Sequence, residues 1–350
     1  VTDFGVSSVR PAAERSQPNL TTMGGYSRLA IIAGVVTLAS LFTLMSTRTL
    51  VRWDEHDEFN FRKDADFEAK IPANSDGSGD QASIVARGKL IEKETEAGLK
   101  YLLYLPVERD GKSPMIVFLH GRGESGGFEI TKKQSLPLQL DTNSTLKQEF
   151  PFITIMPQCP RRCAHANEWL ETTLRETTRL TNEIAAKYDG DFHRISLLGQ
   201  SMGGNGAWEY AAMQKNMFSA VVPICGYTRT FLYDRDQLAS HLYNTSVWAF
   251  HADNDVVIPV DATDGIIHVL KQDKTRDKDT KYTRYKYAPG PPMPEFERLV
   301  GHGSYEYAFR DPDLFKWLQA QRCNKCTGPG SQSWNNTIRT GGERHGHSDW

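Results

Sequence analysis

The sequence predicts an α/β fold: a mostly parallel central sheet with helices on both faces, preceded by one N-terminal hydrophobic helix. Three observations predict it. From about Ala82, short apolar, β-branched runs alternate with stretches of helical periodicity, the pattern of strand and crossover helix. Several of these runs are continuous in apolarity, as strands covered on both faces require. Ahead of them, Leu29 to Met45 carries no charge at all.

Taken in order, residues 1–28 read as an N-terminal tail and 29–45 as a signal-anchor or signal-peptide helix, flanked by Arg28, Arg48 and Arg52. The apolar run is short for a spanning helix and long for a signal-peptide core. Thr37-Leu38-Ala39 offers a cleavage site, and a start at Met23 would supply a short basic lead. Arg and Lys are similarly common on both sides, so charge does not orient the segment. Residues 46–81 are charged and end in Asn-Ser-Asp-Gly-Ser-Gly-Asp, a linker composition. The folded domain is expected over 82–321. Its strand candidates are Lys100–Val107, Met115–His120, Phe152–Met156, Arg194–Leu198, Ala220–Ile224, Val247–His251 and Tyr282–Tyr287. Helix candidates are Asn167–Tyr188, Gly203–Gln214, Ala262–Lys271 and Pro312–Ala320. Residues 322–350 turn polar and glycine-rich, a flexible tail in which His345 and His347 read as solvated rather than metal-binding.

The 350 residues supply ample apolar material for one sizeable core, and their formal net charge is −2. That balance gives no electrostatic case for nucleic acid. Cys159 and Cys163 form one close pair, Cys323 and Cys326 another, and Cys225 stands alone. Behind a secretory signal the pairs read as disulfides; the other reading is a four-thiolate zinc site, which needs both pairs to meet in space. Sequons at Asn143, Asn244 and Asn335 would be glycosylation acceptors in a lumenal or secreted domain. The expectation is a single-pass membrane protein of the secretory pathway, or a secreted one, meeting the membrane through its N-terminal hydrophobic segment.

Four strand ends carry the chemistry. Gly199-Gln200-Ser201-Met202-Gly203 follows the run Ile195–Leu198 and precedes a helical pattern. A serine hydroxyl is a poor nucleophile unless exposed and set beside a base, and a tight strand–turn–helix elbow exposes it. Small neighbours, here Gly199, Gly203 and Gly204, let that turn close. Phe118-Leu119-His120-Gly121-Arg122-Gly123-Glu124 ends another strand in a glycine-rich turn. Backbone N–H groups of Met202 and Arg122 are the candidate oxyanion donors. His120 reads as a structural hydrogen-bonding residue.

In His251-Ala252-Asp253-Asn254-Asp255 a carboxylate can orient a catalytic imidazole; Asp255 is the first choice and Asp253 the second. His302, between Gly301 and Gly303, is the candidate base. His193 precedes a strand at the wrong end of the sheet, and His165 and His241 lack the glycine setting. The order Ser201, Asp255, His302 is that of α/β-hydrolases.

From about Lys89 to Trp317 the chain resembles the predicted-peptidase/esterase branch of the α/β-hydrolases, which includes feruloyl-esterase-like and polyhydroxybutyrate-depolymerase-like proteins. The matching segments are Leu119–Glu124, Met156–Pro160, Asp191–Trp208, Val222–Gly226, Asp255–Pro259 and Gly301–Ser304. The resemblance implies a serine-nucleophile hydrolase of small-molecule or polymer-linked esters, with peptides a further option, needing no metal and no cofactor. It favours Asp255 over Asp253, because the family's acid falls three residues before a Val/Ile-Pro pair. Ala252 stands where the family usually has glycine. Two other readings remain: a serine peptidase of prolyl-oligopeptidase type, and an inactive hydrolase fold serving as a membrane-bound binding module.

Overall fold

In the computed structural model the described residues are 87–326, without 108–110, 229–234 and 277. The tail, the apolar run, the linker and the sequon at Asn335 therefore lie outside them, as do residues 327–350. No helix among the described residues is long and apolar enough to cross a membrane.

The chain alternates strand and helix as the apolar runs predict. A hairpin of β1 (Leu90–Glu94) and β2 (Lys100–Tyr104) leads into β3 (Ser113–Leu119). A 3-10 turn at Arg122–Glu124 follows, with three helices, α1 (Phe128–Thr131), α2 (Ser135–Thr142) and α3 (Ser144–Glu149). Next come β4 (Ile153–Pro157), α4 (Arg161–Ala166), α5 (Glu171–Lys187), β5 (Gly190–Gln200) and α6 (Met202–Met213). The remainder is β6 (Ala220–Ile224), α7 (Arg235–His241), β7 (Ser246–Ala252), α8 (Asp261–Gln272), β8 (Thr280–Tyr285), α9 (Ser304–Ala308) and α10 (Pro312–Ala320).

The eight strands form one sheet in the order β1-β2-β4-β3-β5-β6-β7-β8. The pairs β1·β2 and β2·β4 are antiparallel, and every later pair is parallel. Side chains alternate across it, so neighbours separate into two cores. Val117, Leu197, Val221 and Val247 pack on one face against Leu174 and Ile184 of α5, Trp208 of α6 and Ile266 of α8. Phe118, Leu198, Val222 and Phe250 pack on the other against Leu136 and Leu140 of α2, and Leu314 and Leu318 of α10. Continuous apolarity in the strands follows from these two cores.

All seven expected strands and all four expected helices form. The hairpin strand β1 was not expected, because its sequence LIEKE has one apolar pair followed by charge. Pairing with β2 makes it a strand, whereas burial contributes little at this exposed edge. His193 lies within β5, not before a strand as the sequence suggested, because the ladder begins at Gly190. Each cysteine pair closes on itself, Cys159 with Cys163 and Cys323 with Cys326. Cys159 follows the carboxyl end of β4, whereas the Cys323 N–H binds the His193 carbonyl near the start of β5. The two pairs sit at opposite ends of parallel strands, so the four-thiolate zinc reading is wrong.

Candidate active site

Ser201 follows the last residue of β5 and has φ 53° and ψ −120°, the strained turn of an elbow. Its N–H binds the Ile224 carbonyl at 2.9 Å and its own carbonyl accepts from Asn205 N–H at 3.0 Å, so β6 and α6 hold the turn from both sides. The close approach depends on Gly203: a Cβ there would lie 2.0 Å from the Leu119 carbonyl oxygen at the end of β3. Strand β3 and the elbow therefore touch backbone to backbone. Met202 is the first residue of α6, where helical N–H groups have no intrahelical partner and the dipole favours negative charge. Arg122 opens the 3-10 turn after β3. A Cβ on neighbouring Gly121 would lie 3.5 Å from the Ser201 Cβ, which places this loop beside the serine.

The candidate acid and base come from adjacent loops. Asp255 lies three residues past β7, with its carboxylate buried. Its Oδ1 accepts the Val257 and Ile258 N–H groups at 2.8 and 3.0 Å. His302 Nδ1 reaches Asp255 Oδ2 at 2.9 Å, and His302 Nε2 reaches Ser201 Oγ at 2.8 Å. The structure thus brings Ser201, His302 and Asp255 into one hydrogen-bonded line. Gly301 has φ +86°, and a Cβ there would lie 2.3 Å from the Asn254 carbonyl group, so the histidine loop rests directly on the acid loop. Asn254 clamps the pair further, donating to the Ala288 carbonyl and accepting from the Ala288 N–H, both at 2.9 Å.

Asp253, the second choice for the acid, is instead paired with Arg284 and with Lys286 on the surface. His120 has both ring nitrogens against the backbone: Nε2 accepts the Cys159 N–H at 3.0 Å and Nδ1 lies 2.7 Å from the Gly121 carbonyl. Burial pushes its pKa down to about 4, which keeps it neutral. It braces the loop, as the sequence suggested.

Two supporting residues were not anticipated. His251 Nε2 lies 3.2 Å from Asp255 Oδ2 and 3.0 Å from the Ile258 carbonyl, while its Nδ1 meets Thr263 Oγ1 at 2.8 Å. Burial alone would raise the Asp255 pKa, but hydrogen bonds from His251 and His302 hold its carboxyl well below the usual carboxylate range. Glu124 is the other, buried beneath the Arg122 loop. The available signal for both was position: His251 lies four residues before the acid, and Glu124 ends the glycine turn.

Cys225, Asp255 and His302 place ligand-type atoms within 4.8 Å of one another. They make a poor metal site, because N–H groups already engage both Asp255 oxygens. Burial also pushes the Cys225 thiol up, away from the thiolate that metals bind.

A model of the Dienelactone hydrolase family matches residues 161–286, a segment holding Ser201 and Asp255 and ending before His302. The eight-stranded, mostly parallel sheet with helices on both faces is the α/β-hydrolase fold. Among solved structures, this chain is similar to a thermostable esterase, with 24% identity over 67% of this chain and 62% of that one, at a TM-score of 0.49. It therefore spans less than two thirds of that esterase. An acylaminoacyl peptidase of Pyrococcus horikoshii matches with 13% identity over 71% and 43% of the two chains, at 0.46. An acetyl xylan esterase from Aspergillus awamori matches with 15% identity over 53% and 78%, at 0.41. A search of curated proteins finds no match to this sequence.

Proposed function

We propose that this domain is a serine hydrolase that cleaves carboxylic esters through an acyl-enzyme. The observation that carries the reading is the line Ser201 Oγ, His302 Nε2, His302 Nδ1, Asp255 Oδ2, with contacts of 2.8 and 2.9 Å, on a serine held at φ 53°.

The Asp255 carboxylate accepts from His302 Nδ1–H and so fixes the tautomer whose Nε2 lone pair faces the serine. His302 takes the Ser201 proton as Oγ attacks the ester carbonyl carbon. Negative charge develops on the carbonyl oxygen, and the N–H groups of Met202 and Arg122 receive it; losing one such donor typically costs about a hundred- to a thousandfold in rate. The C–O bond to the alcohol breaks, and the leaving oxygen takes the proton from His302. Water then attacks the acyl-enzyme with His302 again as base, regenerating Ser201. Residues 124–150 and 226–245 shape the pocket in this reading, 229–234 of them lying outside the described residues.

The two closed cysteine pairs and the uncharged run 29–45 support placement in an oxidising compartment, as an anchored or secreted protein.

The direct test is labelling by a fluorophosphonate probe, with loss of the label in Ser201→Ala. Folded wild-type protein that takes no label would overturn the proposal. Comparing turnover of short acyl p-nitrophenyl esters with that of peptide amides separates esterase from peptidase.

A further inference from the structure

Glu124 is a fully buried acid that the steps above do not use. Its Oε1 accepts from the side-chain amide of Gln200 at 2.8 Å and from that of Gln134. Gln200 immediately precedes the nucleophile. Gln134 in turn accepts the Tyr305 hydroxyl at 3.0 Å, and Tyr305 lies three residues after His302 in α9. The other oxygen, Oε2, faces its own loop: His120 Nδ1 is 3.9 Å away, and a Cβ on Gly121 would come within 2.8 Å of it. The Glu124 carbonyl is bound by the Gln158 side-chain amide just past β4. One carboxylate thus touches, directly or through one amide, the Arg122 loop, the serine elbow and the helix behind the base.

We propose that Glu124 is a positioning residue that holds the Arg122 loop at a fixed distance from the elbow, so that two backbone donors converge on one point. The inference rests on the hydrolase reading of Ser201. Oxyanion donors must lie about 2.7–3.1 Å from the charged oxygen, so a small shift of the loop removes most of their effect. The loop and the elbow leave separate strands, and a single acceptor shared between them fixes their spacing.

Burying a carboxylate without a cation is costly, and burial pushes the Glu124 carboxyl up to about 7 despite its hydrogen bonds. Leucine or glutamine would fill the volume without that cost. Neither offers one oxygen to two amides while turning a second oxygen toward its own loop.

Because the misplaced donors act on the transition state, the loss falls on kcat and spares KM. The experiment compares wild type, Glu124→Gln and Tyr305→Phe by kcat and KM on p-nitrophenyl acetate and by fluorophosphonate labelling rate. Circular dichroism and thermal unfolding establish that each is folded. Glu124→Gln keeps the shape but has one accepting oxygen, so its NH2 must face either the two glutamine amides or the Gly121 and Glu124 N–H groups that the carboxylate accepts; kcat should fall roughly ten- to a hundredfold with KM within about twofold. Tyr305→Phe cuts only the outer link and should lower kcat a few fold in the same pattern.

Folded Glu124→Gln with wild-type kcat, or with only KM altered, overturns the inference. If that variant does not fold, Tyr305→Phe decides, and wild-type kcat in it overturns the inference equally. A labelled, active wild type with unchanged variants sinks this inference alone. A folded wild type that neither labels nor turns over sinks the hydrolase reading with it.

Discussion

Asp255 serves two imidazoles and two backbone amides at once, so its role is easily separated from that of a plain buried charge. Asp255→Asn turns an NH2 toward one or more of these donors and disfavours the tautomer that leaves His302 Nε2 open to the serine. Turnover should fall by about ten-thousandfold with KM little changed; a loss of less than tenfold in steady-state kinetics would remove Asp255 from the proton chain. A second prediction concerns stability. Glu124 keeps its proton in the folded state from the ordinary 4.5 up to about 7, so its contribution to stability is present at low pH and lost as pH rises through that window. His120 stays neutral in the folded state down to about 4 from an ordinary 6.5, so its contribution is lost as pH falls through nearly the same window. The two slopes oppose each other in the wild type. Glu124→Gln removes one of them, and between pH 4 and pH 8 it should gain about 3 kcal/mol on the wild type. Urea midpoints across that range measure this, and a constant difference would refute it. Ser201 and Asp255 were legible because each closely follows a strand end, and His302 because glycines flank it in its loop. His251 and Glu124 were not, since a buried polar residue declares its role only through partners distant in sequence.

Strands and long helices were readable because their periodicity reports burial. β6 and α10 were located to the residue, both being bounded by a sharp change of texture. The short helices α1 to α4, with α7 and α9, were not, because segments of four to eight residues carry too few turns to show a period. The elbow itself belongs to this scale, since its turn works only if β3 and α6 approach closely. In Gly203→Ala the new methyl would meet the Leu119 carbonyl oxygen at 2.0 Å, where backbone rather than a movable side chain must yield. The expected cost is about 3 kcal/mol, the upper end for overpacking, together with loss of probe labelling. Denaturant titration showing under 1 kcal/mol would mean that the elbow relaxes freely.

At the scale of the whole molecule, all five cysteines fall among the described residues, and four of them are paired. Protein made in an oxidising compartment should therefore take up no alkylating reagent when native, one equivalent at Cys225 when denatured without reductant, and five when reduced. Mass spectrometry reads this directly, and five equivalents without reductant would contradict the pairing. Both bridges span only a few residues, so they stiffen loops and leave the sheet to hold distant parts together.

The hydrogen bond between Ser201 and His302 joins residues 101 apart, and that between His302 and Asp255 residues 47 apart. Such contacts form only after the intervening chain has ordered, since closing long loops is entropically expensive before contacts reward it. In the proposed reading, nucleophilicity is then a property of the completed fold, acquired only once the histidine loop has docked on the serine. A covalent serine probe added at intervals during refolding would act as a clock for the final docking of the histidine loop. Its signal should lag the recovery of helical circular dichroism.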